Sequence, residues 1–169
     1  MPLLTQKIDF RSPSVLSLIL VNLCVLILAI VFEWSFFDII LTFWIENVII
    51  GILNIPKILL SKKQHPGHRP SNVFSRIFVV ILFCFHYSIF SALHGGSIIF
   101  MFGESEEGHS PSEVFNDSLD VFFIIGIALL FISHLVSFFV NYIKKKEYKK
   151  SSAFQQMLKP YLRVFVVHG

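Results

Sequence analysis

Four ionisable residues lie inside long apolar runs of the sequence: Glu46, His86, His94 and His134. An ionisable group near the centre of a bilayer costs at least ~2.5 kcal/mol, so such a group usually faces the interior of a helical bundle and has a partner there. These four residues are therefore the first candidates for chemistry in this chain.

Counting residues to the nearest basic side chain gives the depth of each candidate in a membrane-spanning helix. Glu46 lies 11 residues before Lys57, His86 lies 10 residues after Arg76, and His134 lies 10 residues before Lys144. At 1.5 Å per residue, each side chain then lies roughly 15 Å from that end of its helix. The spacing predicts that one carboxyl group and two imidazoles share a layer near the middle of the membrane.

A carboxylate with two or three imidazoles is a recurrent ligand set for zinc and for other divalent first-row transition metals. We expect a metal site, most simply a zinc site, formed by Glu46, His86 and His134. His168 lies 9 residues beyond Lys159 and is a further expected ligand, as is His94 on the same run as His86. A vacant coordination position on such a metal would activate water for hydrolysis.

Three alternatives use the same residues. His86 and His134 could be the two axial ligands of a haem b. Glu46 and the histidines could instead form a proton relay, with Asn54, Asn141 and His94 extending the polar groups toward the two surfaces. In a purely structural role, His86 or His134 would hydrogen-bond to Glu46 and only hold the bundle together. Whether the protein is an enzyme stays open, and no residue is assigned as a general base.

The composition identifies the elements that must position these residues. Of the 169 residues, 54% are apolar, 20 are Phe and only 15% are charged. A soluble domain of this length could not bury that much apolar surface, so most of it must face lipid. This excludes nucleic-acid-binding proteins, secreted disulfide scaffolds and disordered tails.

We therefore predict an all-α integral membrane bundle that forms a single domain over residues 1–169. Four apolar runs are long enough to cross a hydrocarbon core of about 30 Å. The predicted spans are residues 15–32, 38–60, 77–102 and 121–142, with a partial fifth span over 160–169. On the third span His86, Ser91 and His94 fall on one polar stripe, which we expect to face the bundle interior.

The distribution of charge predicts the orientation of these spans. All 14 Lys and Arg residues lie before the first span, from the last turn of the second span to the start of the third, or after the fourth. The connections 33–38 and 103–120 carry only acidic charges. The positive-inside rule then predicts a cytoplasmic N-terminus. We expect a multi-pass protein of a prokaryotic cytoplasmic membrane whose partner is the lipid bilayer, with homo-oligomerisation and a small-molecule or lipid substrate left open.

Three stretches resemble a prokaryotic family of small polytopic membrane proteins with no assigned function. They contain W-x-E-N, F-H-Y-x-x-F-x-x-x-H-G and P-Y-x-R-V-x-x-x-H, within residues 43–54, 85–95 and 160–168. The resemblance implies a polytopic membrane fold and draws attention to the Glu and His positions, but it implies no reaction. It also implies that the chain continues beyond His168, so we expect a fifth helix that is cut short.

Overall fold

The computed structural model describes residues 13–62, 72–102 and 119–168, and the side chains of 16–62, 72–101 and 119–161. All regular structure in these ranges is helical. The five α-helices are α1 (Pro13–Val31), α2 (Phe36–Leu60), α3 (Val73–Phe102), α4 (Val121–Ser137) and α5 (Ala153–His168). A π-helix, Phe138–Lys144, continues α4, and a single 3₁₀ turn, Glu147–Lys149, precedes α5. The predicted cytoplasmic residues 1–12 and the acidic connection 103–118 lie outside the described residues.

Three helices are long and apolar enough to cross a membrane: Phe36–Leu60, Val73–Met101 and Val121–Lys144. Their outward faces carry large apolar side chains such as Phe74 and Phe100, each 83% exposed, as lipid-facing surfaces do. The length and composition of these three helices therefore indicate a membrane protein. The apolar part of α1, Leu16–Val31, is shorter than these three helices, so a fourth complete span and the orientation of the N-terminus stay predictions.

Acidic caps determine where two of the spanning helices begin. At the start of α2, the Asp38 backbone N–H donates to the Ser35 hydroxyl over 3.1 Å, and the Ser35 N–H donates to the Asp38 carboxylate over 2.8 Å. At the start of α4, the Asp120 carboxylate accepts a hydrogen bond from the Phe123 N–H. Each cap satisfies backbone donors that have no partner within the helix. We call this side of the bundle the acidic end.

The opposite side of the bundle carries basic residues, and we call it the basic end. Lys57 lies near the end of α2, Arg76 near the start of α3, and Lys144 at the end of the π-helix. The Arg76 guanidinium donates to the Leu59 carbonyl oxygen over 2.9 Å, so it caps the end of α2. This contact also joins the end of α2 to the start of α3.

Helix α2 is the central element of the bundle, because it packs against α3, α4 and α5, whereas α1 packs mainly against α4. The contact between α2 and α3 is close at Gly51, where a Cβ atom would overlap the ring of Tyr87. The Tyr87 hydroxyl donates to the Asn47 carbonyl oxygen over 2.8 Å, which holds that ring in place. Gly51 is thus required for the approach of the two helices.

We predict that Gly51→Ala lowers the stability of the protein. Its methyl group must displace a ring that is anchored by a hydrogen bond, and overpacking of this kind typically costs about 1–3 kcal/mol. The readout is the melting temperature of detergent-purified protein. Gly96→Ala is the matched control, since no atom lies within 4 Å of its added Cβ, and it should leave the melting temperature unchanged or slightly higher. Equal melting temperatures for the two variants would contradict the packing described above.

Candidate functional site

The candidate site is a buried acid–imidazole pair between helices α2 and α4. Glu46 of α2 and His134 of α4 approach each other with 2.8 Å between Oε1 and Nε2. Their side chains are only 4% and 11% exposed. When the carboxyl group is ionised, the imidazole N–H donates to it; when the carboxyl group is protonated, the direction can reverse. A proton can therefore lie on either partner without a change in the positions of the heavy atoms.

The pair lies in a polar patch of an otherwise apolar interior. One turn before Glu46, the buried Thr42 hydroxyl donates to the carbonyl oxygen of Asp38 over 2.8 Å. Beside His134, Ser133 is 4% exposed, and its hydroxyl oxygen has no hydrogen-bond partner among the described residues. A buried hydroxyl of this kind can still donate to or accept from a water molecule that enters the site.

A cavity of about 220 Å³ extends from Glu46 toward the acidic end. It lies between α1, α2 and α4, and most of its lining is apolar. From Ile39 to Glu46, its lining residues cover about 10 Å of helix α2. The polar groups along it are Asn22, Thr42 and Glu46, and Trp34 lies at its far end.

A second cavity, of about 160 Å³, lies on the opposite side of the pair, and we call it the basic-end cavity. It begins at Ile50, one turn beyond Glu46, and at Ser137, about one turn beyond His134. Its lining is more polar than that of the first cavity. The residues around it are Ile50, Asn54, Lys57, Ser137, Asn141, Tyr142, Glu147, Gln156, Lys159 and Pro160. The Glu46–His134 pair therefore lies between two cavities on opposite sides of it.

The π-helix that continues α4 contributes two of these lining residues, Asn141 and Tyr142. Hydrogen bonds from i to i+5 widen its turn, and such segments are frequent at functional sites. The Asn141 side chain donates to the Ser137 hydroxyl over 3.3 Å, and the Tyr142 hydroxyl donates to the carbonyl oxygen of Lys57. The π-helix thus links α4 to the basic end of α2.

Charge in the basic-end cavity is predominantly positive. Lys57 and Lys159 face the cavity with one carboxylate, that of Glu147. Burial lowers the pKa of the Lys159 ammonium group, and the nearby Glu147 carboxylate partly offsets this effect. The ammonium groups of Lys57 and Lys159 are also close enough to repel each other.

The structure gives His86 a different partner from the predicted one. Its Nδ1 lies 2.8 Å from the hydroxyl of Tyr161 on α5, and the side chain is exposed. The polar stripe of α3 at His86 thus contacts α5 and not Glu46. His94 lies beside a small cavity with Trp44 and Phe90.

Among the described side chains, no three His, Cys, Asp or Glu residues lie close enough together to hold a metal ion. Of the predicted ligands, the structure brings together Glu46 and His134 but places His86 elsewhere. The side chain of His168, near the end of α5, lies outside the described residues. Zinc and metal binding thus find no support in the described residues, and the metal site and the haem alternative stay predictions.

The sequence interpretation missed Tyr142 and Gln156, which line the basic-end cavity. It also missed Tyr161, the partner that His86 has outside the site. Gln156 is fully buried although it lies near the start of α5 in a polar stretch. The available signal was the pair of amides Gln155–Gln156 before an apolar run. That signal does not indicate which helix the amides face.

The comparisons with known proteins identify a family for this chain but no reaction. No curated protein and no solved structure matches the chain. A family model does match, over residues 4–169. This confirms the resemblance to an uncharacterised family, and the chain belongs to DUF6498, a family of unknown function.

Proposed function

We propose that the protein is a multi-pass membrane protein that relays protons across the bilayer through Glu46 and His134. The observation that carries this proposal is the position of the pair between two cavities that extend toward opposite ends of the bundle. We also propose that the basic end faces the cytoplasm, since basic residues concentrate on that side of membrane proteins.

The chemistry of the pair suits proton transfer. Imidazole and carboxyl groups both titrate near neutral pH when their environment shifts them, and buried Glu–His chains are recurrent proton carriers in membrane proteins. A proton that arrives from the acidic-end cavity can bind to Glu46, which lines that cavity. It can then pass along the 2.8 Å contact to His134.

From His134 the path continues to the basic end through polar groups. Ser137 and Asn141 follow on the same helix and line the basic-end cavity, as does Asn54 on α2. Water molecules in that cavity would connect these groups by hydrogen bonds. The acidic-end cavity offers fewer polar groups, so entry of water there would limit the rate.

We predict that Glu46→Gln abolishes proton movement while preserving the fold. The amide keeps the shape and a hydrogen bond to His134 but cannot titrate, so flux should fall by about tenfold or more. The measurement uses the 169-residue chain in potassium-loaded liposomes, with valinomycin to set the potential and a pH-sensitive dye inside. His134→Gln should lower the flux in the same way.

His86→Gln is the matched control for this measurement. It removes an imidazole at a similar depth that is bonded to Tyr161 and has no part in the proposed path. Flux in this variant should equal that of the wild type. Wild-type flux no higher than that of empty liposomes, or flux retained in Glu46→Gln, would show that the pair only stabilises the bundle.

The metal and haem alternatives make different predictions for His86. A metal site built from Glu46, His86 and His134 requires about one equivalent of metal that is lost in both His86→Gln and His134→Gln. Haem ligated by the two histidines requires a Soret band that both substitutions remove. For a proton relay we expect neither a stoichiometric metal in elemental analysis nor a Soret band in the purified protein. A metal or a Soret band lost from both histidine variants would replace the relay with the corresponding site.

A further inference from the structure

The basic-end cavity has a charge imbalance that the proton relay does not require. Among the described residues, two ammonium groups, those of Lys57 and Lys159, share the cavity with a single carboxylate, that of Glu147. Like charges held together in a partly desolvated space raise the free energy of the folded state. An anion bound between the two ammonium groups would remove this cost.

The walls of the cavity are held in place by hydrogen bonds among three separate elements. The Asn54 amide of α2 donates to the backbone carbonyl of Gln156 on α5 over 2.9 Å. The Gln156 amide donates to the Ser151 hydroxyl over 2.9 Å. With the bond from Tyr142 to the carbonyl of Lys57, these contacts connect α2, the π-helix and α5. The cavity is therefore pre-organised, which lowers the cost of binding.

One polar atom of the cavity wall lacks a partner. Gln156 is fully buried and lines the cavity, and its Oε1 accepts no hydrogen bond from the described residues. A buried acceptor left unsatisfied costs about 1–3 kcal/mol. It requires a donor, which an ionised phosphate group does not supply but a hydroxyl group does.

We propose that the basic-end cavity binds a phosphate ester that carries a free hydroxyl group. Lys57 and Lys159 hold the phosphate, and Gln156 accepts a hydrogen bond from the hydroxyl. A volume of about 160 Å³ equals roughly five water molecules, which suits a phosphate with a short polyol. The ester is either a free metabolite or the head group of a phospholipid, because both present an anionic phosphate and a free hydroxyl group. This inference rests on charge and shape and does not depend on proton transfer.

The test measures binding of defined probes to the full chain purified in an uncharged detergent. The free probe is glycerol 3-phosphate, compared with methyl phosphate, which lacks the hydroxyl, and with glycerol, which lacks the phosphate. The lipid probe is phosphatidylglycerol in nanodiscs, compared with phosphatidylcholine. Binding of glycerol 3-phosphate indicates a free ester, and selective retention of phosphatidylglycerol alone indicates a head group.

Two sets of variants separate the site from general attraction to a basic surface. The affinity for the preferred probe should fall by about tenfold or more in Lys159→Gln and in the double variant Lys57→Gln with Lys159→Gln. The matched control is the double variant Lys144→Gln with Lys145→Gln, which removes the same charge at exposed positions that do not line the cavity. It should bind the probe with the affinity of the wild type. Because the Lys159 side chain is more exposed than that of Lys57, its single variant should fold even if the double variant does not.

Binding that is lost equally in the cavity variants and in the control pair would overturn the proposal, since it would reflect only the basic surface. Failure of the wild type to bind either probe would overturn it as well. Equal affinity for methyl phosphate and glycerol 3-phosphate would overturn the assignment of Gln156.

Discussion

The contact between Glu46 and His134 is the constraint on which the arrangement of the bundle depends. Each side chain alone would place an unpaired ionisable group in an apolar interior, and removal of one partner from such a buried pair typically costs about 3–5 kcal/mol. Their mutual hydrogen bond removes this cost only when α2 and α4 are adjacent and correctly rotated. The pair therefore selects one register of α2 against α4 from many that apolar packing alone would allow.

Helix α2 meets its three neighbours by three different means. Glu46 pairs with α4 and Gly51 admits the Tyr87 ring of α3, while the Asn54 amide bonds to the backbone of α5. Each contact uses a residue that is unfavourable or neutral in a purely lipid-facing helix. Because the same helix also lines both cavities, the chemistry of the site and the packing of the bundle depend on the same few side chains.

The helices could be predicted from the sequence because their length follows from apolar runs and their ends from caps and charges. The predicted span 38–60 differs from Phe36–Leu60 only at the start, where the Ser35–Asp38 cap extends the helix by two residues. The pairing of Glu46 with a histidine was likewise among the alternatives left open by the sequence. Depth, counted along each helix, was sufficient for those predictions.

The three-ligand layer and the basic-end cavity could not be predicted in the same way. Depth does not specify rotation, and His86 contacts Tyr161 of α5. The cavity depends on a bond between Asn54 and Gln156, which are 102 residues apart and carry no shared local pattern. Such contacts follow from which helices are neighbours, and a single sequence does not contain that information in its periodicity.

In the proposed relay, the carboxyl group of Glu46 exchanges its proton with its surroundings through His134. Infrared difference spectroscopy of the membrane-embedded protein, titrated across about pH 4 to 9, measures this directly through the stretching band of the protonated carboxyl group. For the proposed relay we expect a band that changes with pH and disappears in Glu46→Gln. The band should titrate at a different pH in His134→Gln but not in His86→Gln. A Glu46 carboxyl group whose protonation stays constant across that range would contradict it.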